Sequence, residues 1–166
     1  MVHPMVEQLR FTRSEWLRGL KMVSAEDAAK RFEPINSIAW IVGHLAWQEQ
    51  AYWLDRAQGK IIRENILQCG FGQPQCNPPL DEMWEAWHSI IEEADLYLDT
   101  LTDENLLEYY IINGKAHHET VGTMLHRMTY HYWYHLGESQ AVRQLLGHRD
   151  LPGFVGRFGD MGYRES

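Results

Sequence analysis

Residues 120–146 read TVGTMLHRMTYHYWYHLGESQAVRQLL, and this stretch decides the fold of the chain. Apolar residues recur along one face of it at helical spacing, namely Met124, Met128, Val142 and Leu145. Gly147 follows directly and is a common residue just beyond a helix end. The pattern predicts a long helix from about Thr120 to Leu146, the fourth long helix of the chain.

Two histidines in this helix suggest a metal site. His131 and His135 are four residues apart, so both side chains project from one face. Two imidazoles at this spacing can share a tetrahedral or octahedral metal ion. The chain contains nine histidines, however, so such a pair also arises readily by chance. The alternative interpretation is a pair of half-buried histidines that donate to backbone carbonyls.

Two further polar residues favour the metal site. Glu138 lies three residues after His135 on the same face, so a polar group interrupts a stripe that otherwise points into the core. His44 stands on the apolar face of an earlier helical stretch, near Ile41 and Ala51. Buried polar groups need partners, and helical bundles commonly build metal sites between facing helices. We therefore predict one site shared by the three histidines.

The remaining sequence predicts further helices and few strands. We expect a first helix from about Met5 to Met22, followed by a short helix opened by Ser24. A second long helix is expected from Asn36 or Ser37 to Gln58-Gly59, and a crossover loop over residues 60–80. A third long helix, capped by Asp81, should reach Leu98, and residues 102–119 form a mixed segment. In the mixed segment, Tyr109 to Ile112 could form a strand ahead of an Asn113-Gly114 turn. His117-His118 is placed in a loop, where it could border a pocket, although exposure to solvent is the simpler interpretation. The glycine-containing tail is expected to be irregular and to pack over the helices.

The fold class that follows is all-α. We predict a four-helix bundle with a long crossover between helices 2 and 3, forming one domain over residues 1–166, because a chain of this length is short for two domains.

Composition excludes several classes of partner. The formal net charge of −8 argues against a nucleic-acid binder and against an electrostatic anchor on an anionic membrane. No apolar run approaches the ~20 residues that span a bilayer. Residues 1–5 do not resemble a secretory signal, and two cysteines, Cys69 and Cys76, are too few for a disulfide framework and are interpreted as reduced thiols. A cytoplasmic protein is expected.

Two stretches resemble the DinB-like family. Residues 37–45, SIAWIVGHL, are similar to its second-helix signature, and residues 120–126 with 131–138 are similar to its fourth-helix signature. Residues 141–148, AVRQLLGH, resemble a subgroup of that family. The resemblance implies one divalent metal ion, zinc or nickel, held by His44, His131 and His135. A common family variant has Arg-Gly-Gln after the last histidine, whereas this chain has residues 136–138, LGE.

A site with three histidine ligands is expected to be reactive. Three protein ligands leave positions open for water or substrate, and a divalent ion there can lower the pKa of water or of a thiol. The resemblance implies an enzyme that transfers a low-molecular-weight thiol, such as bacillithiol or mycothiol, to a small electrophile. Hydrolysis at the same site and a non-catalytic metal-binding stress protein are the alternatives. Glu138, the candidate catalytic residue, could hydrogen-bond a ligand imidazole, bind the metal or accept a proton.

Further expectations concern residues around the site and the assembly of the chain. Arg127 and Arg143 could bind a substrate carboxylate, although a solvated helix face is the simpler interpretation for each. Trp40 and Trp47 are interpreted as core packing rather than as a substrate platform. The resemblance and the abundance of aromatic residues suggest a homodimer that associates through helix faces.

Overall fold

The chain is mostly helical, with one small sheet. The structure is a computed structural model that describes residues 2–153, 155, 156, 159 and 162. Its elements are α1 (Pro4–Leu20), α2 (Ala25–Ala29), α3 (Ile38–Glu49), which continues as a π-helix (Gln50–Arg56), a 3-10 turn (Leu67–Cys69), α4 (Leu80–Leu98), α5 (Asp103–Leu106), β1 (Tyr109–Ile112), β2 (Lys115–Thr120) and α6 (Val121–Leu145). Within the described part of the chain, none of the helices is long and apolar enough to cross a membrane.

Side-chain caps set where several helices begin. The Ser37 hydroxyl accepts a hydrogen bond from the backbone amide of Trp40 at 3.3 Å, which decides between the two caps predicted for α3. Ser24 caps α2 in the predicted way, and Thr120 caps α6. The prediction that Asp81 caps α4 is wrong. This helix begins at Leu80, and Asp81 lies in its first turn, where a carboxylate favours the positive end of the helix dipole.

The core is formed where the long helices pack together. Helix α3 packs against α4 and α6, and α1 packs against α6. Gly19 permits the close approach of α1 to α6, because a Cβ atom there would lie 2.2 Å from Leu136 Cδ1. Met124, Met128 and Val142 are fully buried as their spacing predicts. Leu145, predicted on the same face, is instead 56% exposed in the last turn of α6.

A buried polar network crosses this core, and the sequence pattern does not predict it. The Arg13 guanidinium donates to both carboxylate oxygens of Glu49 at 2.7 Å each and to Asp95 Oδ1 at 2.6 Å. The Tyr132 hydroxyl donates to Glu49 Oε1 at 2.8 Å and accepts from Trp87 Nε1 at 2.7 Å. Because α1, α3, α4 and α6 each contribute at least one member, the network links all four long helices.

The segment between α5 and α6 forms a hairpin. β1 pairs with β2 in antiparallel fashion around Asn113 and Gly114, whose φ values of 52° and 76° suit a two-residue hairpin turn. The predicted strand and turn are confirmed. His117 and His118, predicted in a loop, lie on β2, so the all-α prediction is corrected to a mostly helical fold with a two-stranded sheet.

The described part of the tail packs against α1. Arg18 Nη2 donates to the carbonyl of Gly153 at 2.8 Å, and the amide of Gly156 donates to Glu15 Oε2 at 2.7 Å. These contacts agree with an irregular tail that packs over the helices. The rest of that prediction concerns positions that lie outside the described residues.

Candidate metal centre

Three histidines from two helices converge in the interior. Helix α3 supplies His44, and α6 supplies His131 and His135. Their candidate ligand atoms all lie within 4.8 Å of one another, and the Nε2 atoms of His131 and His135 are 2.9 Å apart. The ring of His44 faces the other two edge-on, at centroid distances of 5.0 and 5.3 Å. The structure therefore brings together the three residues that the sequence analysis grouped.

Hydrogen bonds orient two of the rings. Nδ1 of His44 lies 2.8 Å from the carbonyl oxygen of Cys69, and Nδ1 of His135 lies 2.7 Å from Glu138 Oε2. Because a carbonyl and a carboxylate can only accept, each Nδ1 carries a proton, and in the neutral ring the lone pair is on Nε2. This is the tautomer in which a histidine binds a metal through Nε2.

Burial keeps the imidazoles of His44 and His131 in the neutral state that binds metals. Burial lowers the pKa of His44 to about 4, and the neighbouring His135 opposes protonation further, although the hydrogen bond to Cys69 acts in the opposite direction. Burial likewise lowers the pKa of His131 to about 3, with further contributions from His135 and His44. Protons therefore compete for these two side chains only in acid well below neutrality.

Two tryptophans hold the ring of His44. Trp40 stacks on it at a centroid distance of 4.6 Å with an interplanar angle of 11°, and Trp47 stacks at 5.5 Å with an angle of 22°. Both indoles are only half-buried. The interpretation of these residues as core packing is therefore incomplete, because they also fix the plane of a candidate ligand.

The donor set fits a divalent cation of borderline softness. Neutral imidazole nitrogens suit zinc and nickel, and three of them leave coordination positions for other ligands. His131 and His135 place two nitrogens 2.9 Å apart in a half-buried site, where unpaired lone pairs would repel each other unless a cation or a proton lies between them. Glu138 is not in this group of ligand atoms and contacts the far side of the His135 ring.

A cavity of about 950 Å³ opens beside the histidines. His44 and His131 form part of its wall, together with His117, His118 and His126 among others. His117 and His118 therefore border a pocket, one of the two interpretations given above, and His118 is also exposed as the other interpretation holds. His126 lines the cavity but does not join the triad, because it lies about 140° around α6 from His131.

The two arginines considered in the sequence analysis differ in position. Arg127 lines the cavity, where it forms an ion pair with Glu119. Arg143 lies outside the cavity and is buried, and it donates to the carbonyl of Gly19 and to Nδ1 of His148. The interpretation of Arg143 as part of a solvated face is therefore wrong, and Arg143 does not line the cavity beside the triad.

Sequence reasoning missed several residues of the site. The carbonyl of Cys69 and the cavity residues Tyr52, Arg56, Phe71 and Glu119 were not identified. The residues before Gly59 were read as regular helix, whereas the π-helix changes which of their side chains face the cavity. Cys69 and Cys76 are both free cysteines.

Comparison with known families assigns the chain. The sequence model of the DinB superfamily matches residues 8–139, most of the chain. The chain belongs to the DinB superfamily. The match contains His44, His131 and His135, so the triad of this DinB superfamily protein lies inside the family region, as does Glu138. No match was found among curated proteins.

Proposed function

We propose that this DinB superfamily protein binds one zinc or nickel ion through Nε2 of His44, His131 and His135. The convergence of three imidazoles supports this, as do the depressed pKa values of His44 and His131 and the acceptors behind two of the rings. We further propose that the four long helices form a single-domain four-helix bundle of the DinB-like type. Residues 59–79 would be its crossover, close to the predicted segment of residues 60–80. The cytoplasmic location and the absence of a nucleic-acid partner stay predictions from composition.

We propose that the protein transfers a low-molecular-weight thiol to a small electrophile. The observation that supports this most directly is the position of neutral His44 and His131 in the wall of an open cavity large enough for small molecules. When bound, a divalent ion lowers the pKa of a coordinated thiol. The side chains that line the cavity would position the electrophile and limit the access of water.

Glu138 is proposed to act through His135. Burial alone would raise the pKa of this carboxyl group, but the hydrogen bond and electrostatic attraction of the adjacent His135 ring, together with the backbone amide of Asn36, lower it below its usual value. The ionised carboxylate accepts the Nδ1 proton of His135 and fixes the direction of its Nε2 lone pair. Of the three roles considered, this geometry favours the hydrogen bond to a ligand imidazole, so Glu138 is a positioning residue.

Thiol titration of the cobalt-substituted protein tests the proposed function. Coordination of sulfur should produce a sulfur-to-cobalt charge-transfer band in the near ultraviolet as the thiol is added. Absence of the band with every cellular thiol, together with turnover of a hydrolysable substrate, would replace thiol transfer by hydrolysis. Absence of the band and of any turnover would favour a non-catalytic metal-binding protein.

We expect Glu138→Gln to retain one metal ion per chain and to change the pH dependence of thiol-dependent activity. The amide oxygen of glutamine can still accept from His135 Nδ1, but its charge is lost, and loss of such a partner typically costs ~10–100-fold in metal affinity or activity. Elemental analysis and a pH–rate profile measure the two effects. Glu138→Ala is the matched control, since it also removes the acceptor and should weaken metal binding further. Complete loss of metal in Glu138→Gln would instead identify Glu138 as a fourth ligand.

The proposed homodimer has a direct test. Large apolar side chains on helix surfaces are exposed, including Leu96 at 66% and Leu145 at 56%, and an interface between helix faces would cover such groups. We expect light scattering at micromolar concentration to give twice the chain mass of 19.5 kDa. A mass of one chain would exclude the dimer at that concentration.

A further inference from the structure

Arg56 brings a positive charge into the cavity without a carboxylate to neutralise it. Its guanidinium lies over the ring of Tyr52, with its central carbon 4.8 Å from the ring centroid, and its Nη1 lies 4.0 Å from Met124 Sδ. Within the described part of the chain, it forms no ion pair with an aspartate or a glutamate. The aromatic face and hydroxyl of Tyr52 and the Met124 thioether are uncharged partners, so most of the hydrogen-bonding capacity of the guanidinium remains for a ligand.

The second arginine of the cavity is already neutralised. Nε of Arg127 donates to both carboxylate oxygens of Glu119, at 2.9 and 3.1 Å. This ion pair lowers the pKa of Glu119 below its usual value, so the carboxylate stays charged. The fixed charge at Arg127 is therefore balanced within the protein, whereas the charge at Arg56 is not.

The charge of the cavity is opposite to that of the whole chain. Its lining contains two arginines and one glutamate, which gives a net charge of +1 with histidines counted neutral, whereas the chain carries −8. A divalent ion on the triad would add to the positive potential. A cavity with this potential attracts anions and disfavours cations.

The π-helix explains why Arg56 faces the cavity. Arg56 is twelve residues after His44, so in an uninterrupted α-helix it would lie about 120° away around the axis. Residues Gln50–Arg56 form wider turns, in which each residue advances by a smaller angle. The smaller advance reduces this offset and brings Arg56 towards the face that bears His44. Such irregular turns are frequent at functional sites.

We propose that the cavity binds a small molecule that bears a carboxylate, and that Arg56 pairs with this carboxylate while the thiol or electrophilic end lies near the histidine triad. The inference rests on the proposed function and adds the substrate class. Arginine suits this role because its planar guanidinium can donate two parallel hydrogen bonds to one carboxylate. The ring of Tyr52 would stay stacked against the Arg56 guanidinium, and Arg127 would stay paired with Glu119.

Matched thiols test the proposal with the cobalt-substituted protein. The probes are a homologous series of straight-chain mercapto carboxylic acids and their uncharged amides, and sulfur-to-cobalt charge transfer reports the affinity of each. At the chain length that spans the cavity, the acid should bind about tenfold or more tightly than its amide, because a hydrogen bond to a charged group is stronger than one to a neutral group. Arg56→Gln should abolish this preference by weakening the binding of the acid far more than that of the amide, and it should not change the cobalt stoichiometry. Arg56→Lys should keep part of the preference.

The control is Arg63→Gln, which removes the same charge from an arginine that pairs with Glu85 and does not line the cavity. It should keep the full preference for the acid. Equal affinity for acid and amide at every chain length, or a preference that survives Arg56→Gln, would overturn the proposal.

A separate measurement distinguishes failure of the carboxylate site from failure of thiol transfer. If no thiol produces the charge-transfer band, thiol transfer fails, and butyrate and butyramide are then titrated into the ¹⁵N-labelled protein. A shift of the Arg56 Nε–Hε resonance with butyrate but not with butyramide would support the carboxylate site by itself. No difference between the two would overturn it.

Discussion

Substitution of His131 by alanine is expected to abolish stoichiometric metal binding and to leave the helices intact. The variant keeps only the Nε2 atoms of His44 and His135, and two imidazoles do not complete a three-ligand site. Helix α6 should persist because Met124, Met128 and Val142 still bury its apolar face. Elemental analysis measures the metal, and far-ultraviolet circular dichroism measures the helical content.

His126→Ala is the matched control for this variant. His126 is an exposed histidine of the same helix that lies outside the triad, so its removal should leave one metal ion per chain. A tightly bound zinc or nickel ion in the His131→Ala protein would contradict the proposed ligand set.

Substitution of Glu49 by alanine is expected to lower the free energy of unfolding by about 3–5 kcal/mol. Glu49 is fully buried and accepts from Arg13 and from the Tyr132 hydroxyl. Its removal leaves the buried guanidinium of Arg13 with Asp95 as its remaining acidic partner and leaves Tyr132 without its acceptor. Urea denaturation measures the change.

Glu93→Ala provides the comparison for Glu49→Ala. Glu93 pairs with Lys60 at 2.9 Å near the surface, where an ion pair typically contributes less than about 1 kcal/mol. A loss for Glu49→Ala no larger than that for Glu93→Ala would show that the buried network contributes little to stability.

The sequence predicts those features of the molecule that depend on local geometry. His131, His135 and Glu138 share one helix, so spacing alone places them on one face, and the structure shows the contact between His135 and Glu138. The caps at Ser24 and Ser37 also involve groups only three residues apart. The choice of Asp81 as a cap failed because Pro79 already sets the extended backbone before α4, and the helix starts two residues earlier than predicted.

Features that depend on contacts between distant segments could not be predicted in this way. The Arg13–Glu49 pair joins residues 36 positions apart, and the contact of Arg143 with Gly19 joins residues 124 positions apart. A charged residue on a helix gives no sign of whether its partner is water or another helix, so Arg143 was placed on a solvated face. The acceptor behind His44 is the backbone carbonyl of Cys69. Because every residue has such a carbonyl, the sequence gives no sign of which one accepts.

The π-helix after His44 separates the part of this helix that bears the proposed metal ligand from the part that bears Arg56, the proposed substrate-binding residue. Core packing around His44 sets the direction in which side chains before Glu49 point around the helix axis. The directions of Tyr52 and Arg56 depend in addition on the wider turns of the π-helix. The insertion or deletion of one residue within Gln50–Arg56 would rotate the side chains beyond it by roughly 100° and leave His44 where it is. Insertions or deletions within the π-helix would therefore change which side chains face a substrate, while the three histidines of the triad keep their positions.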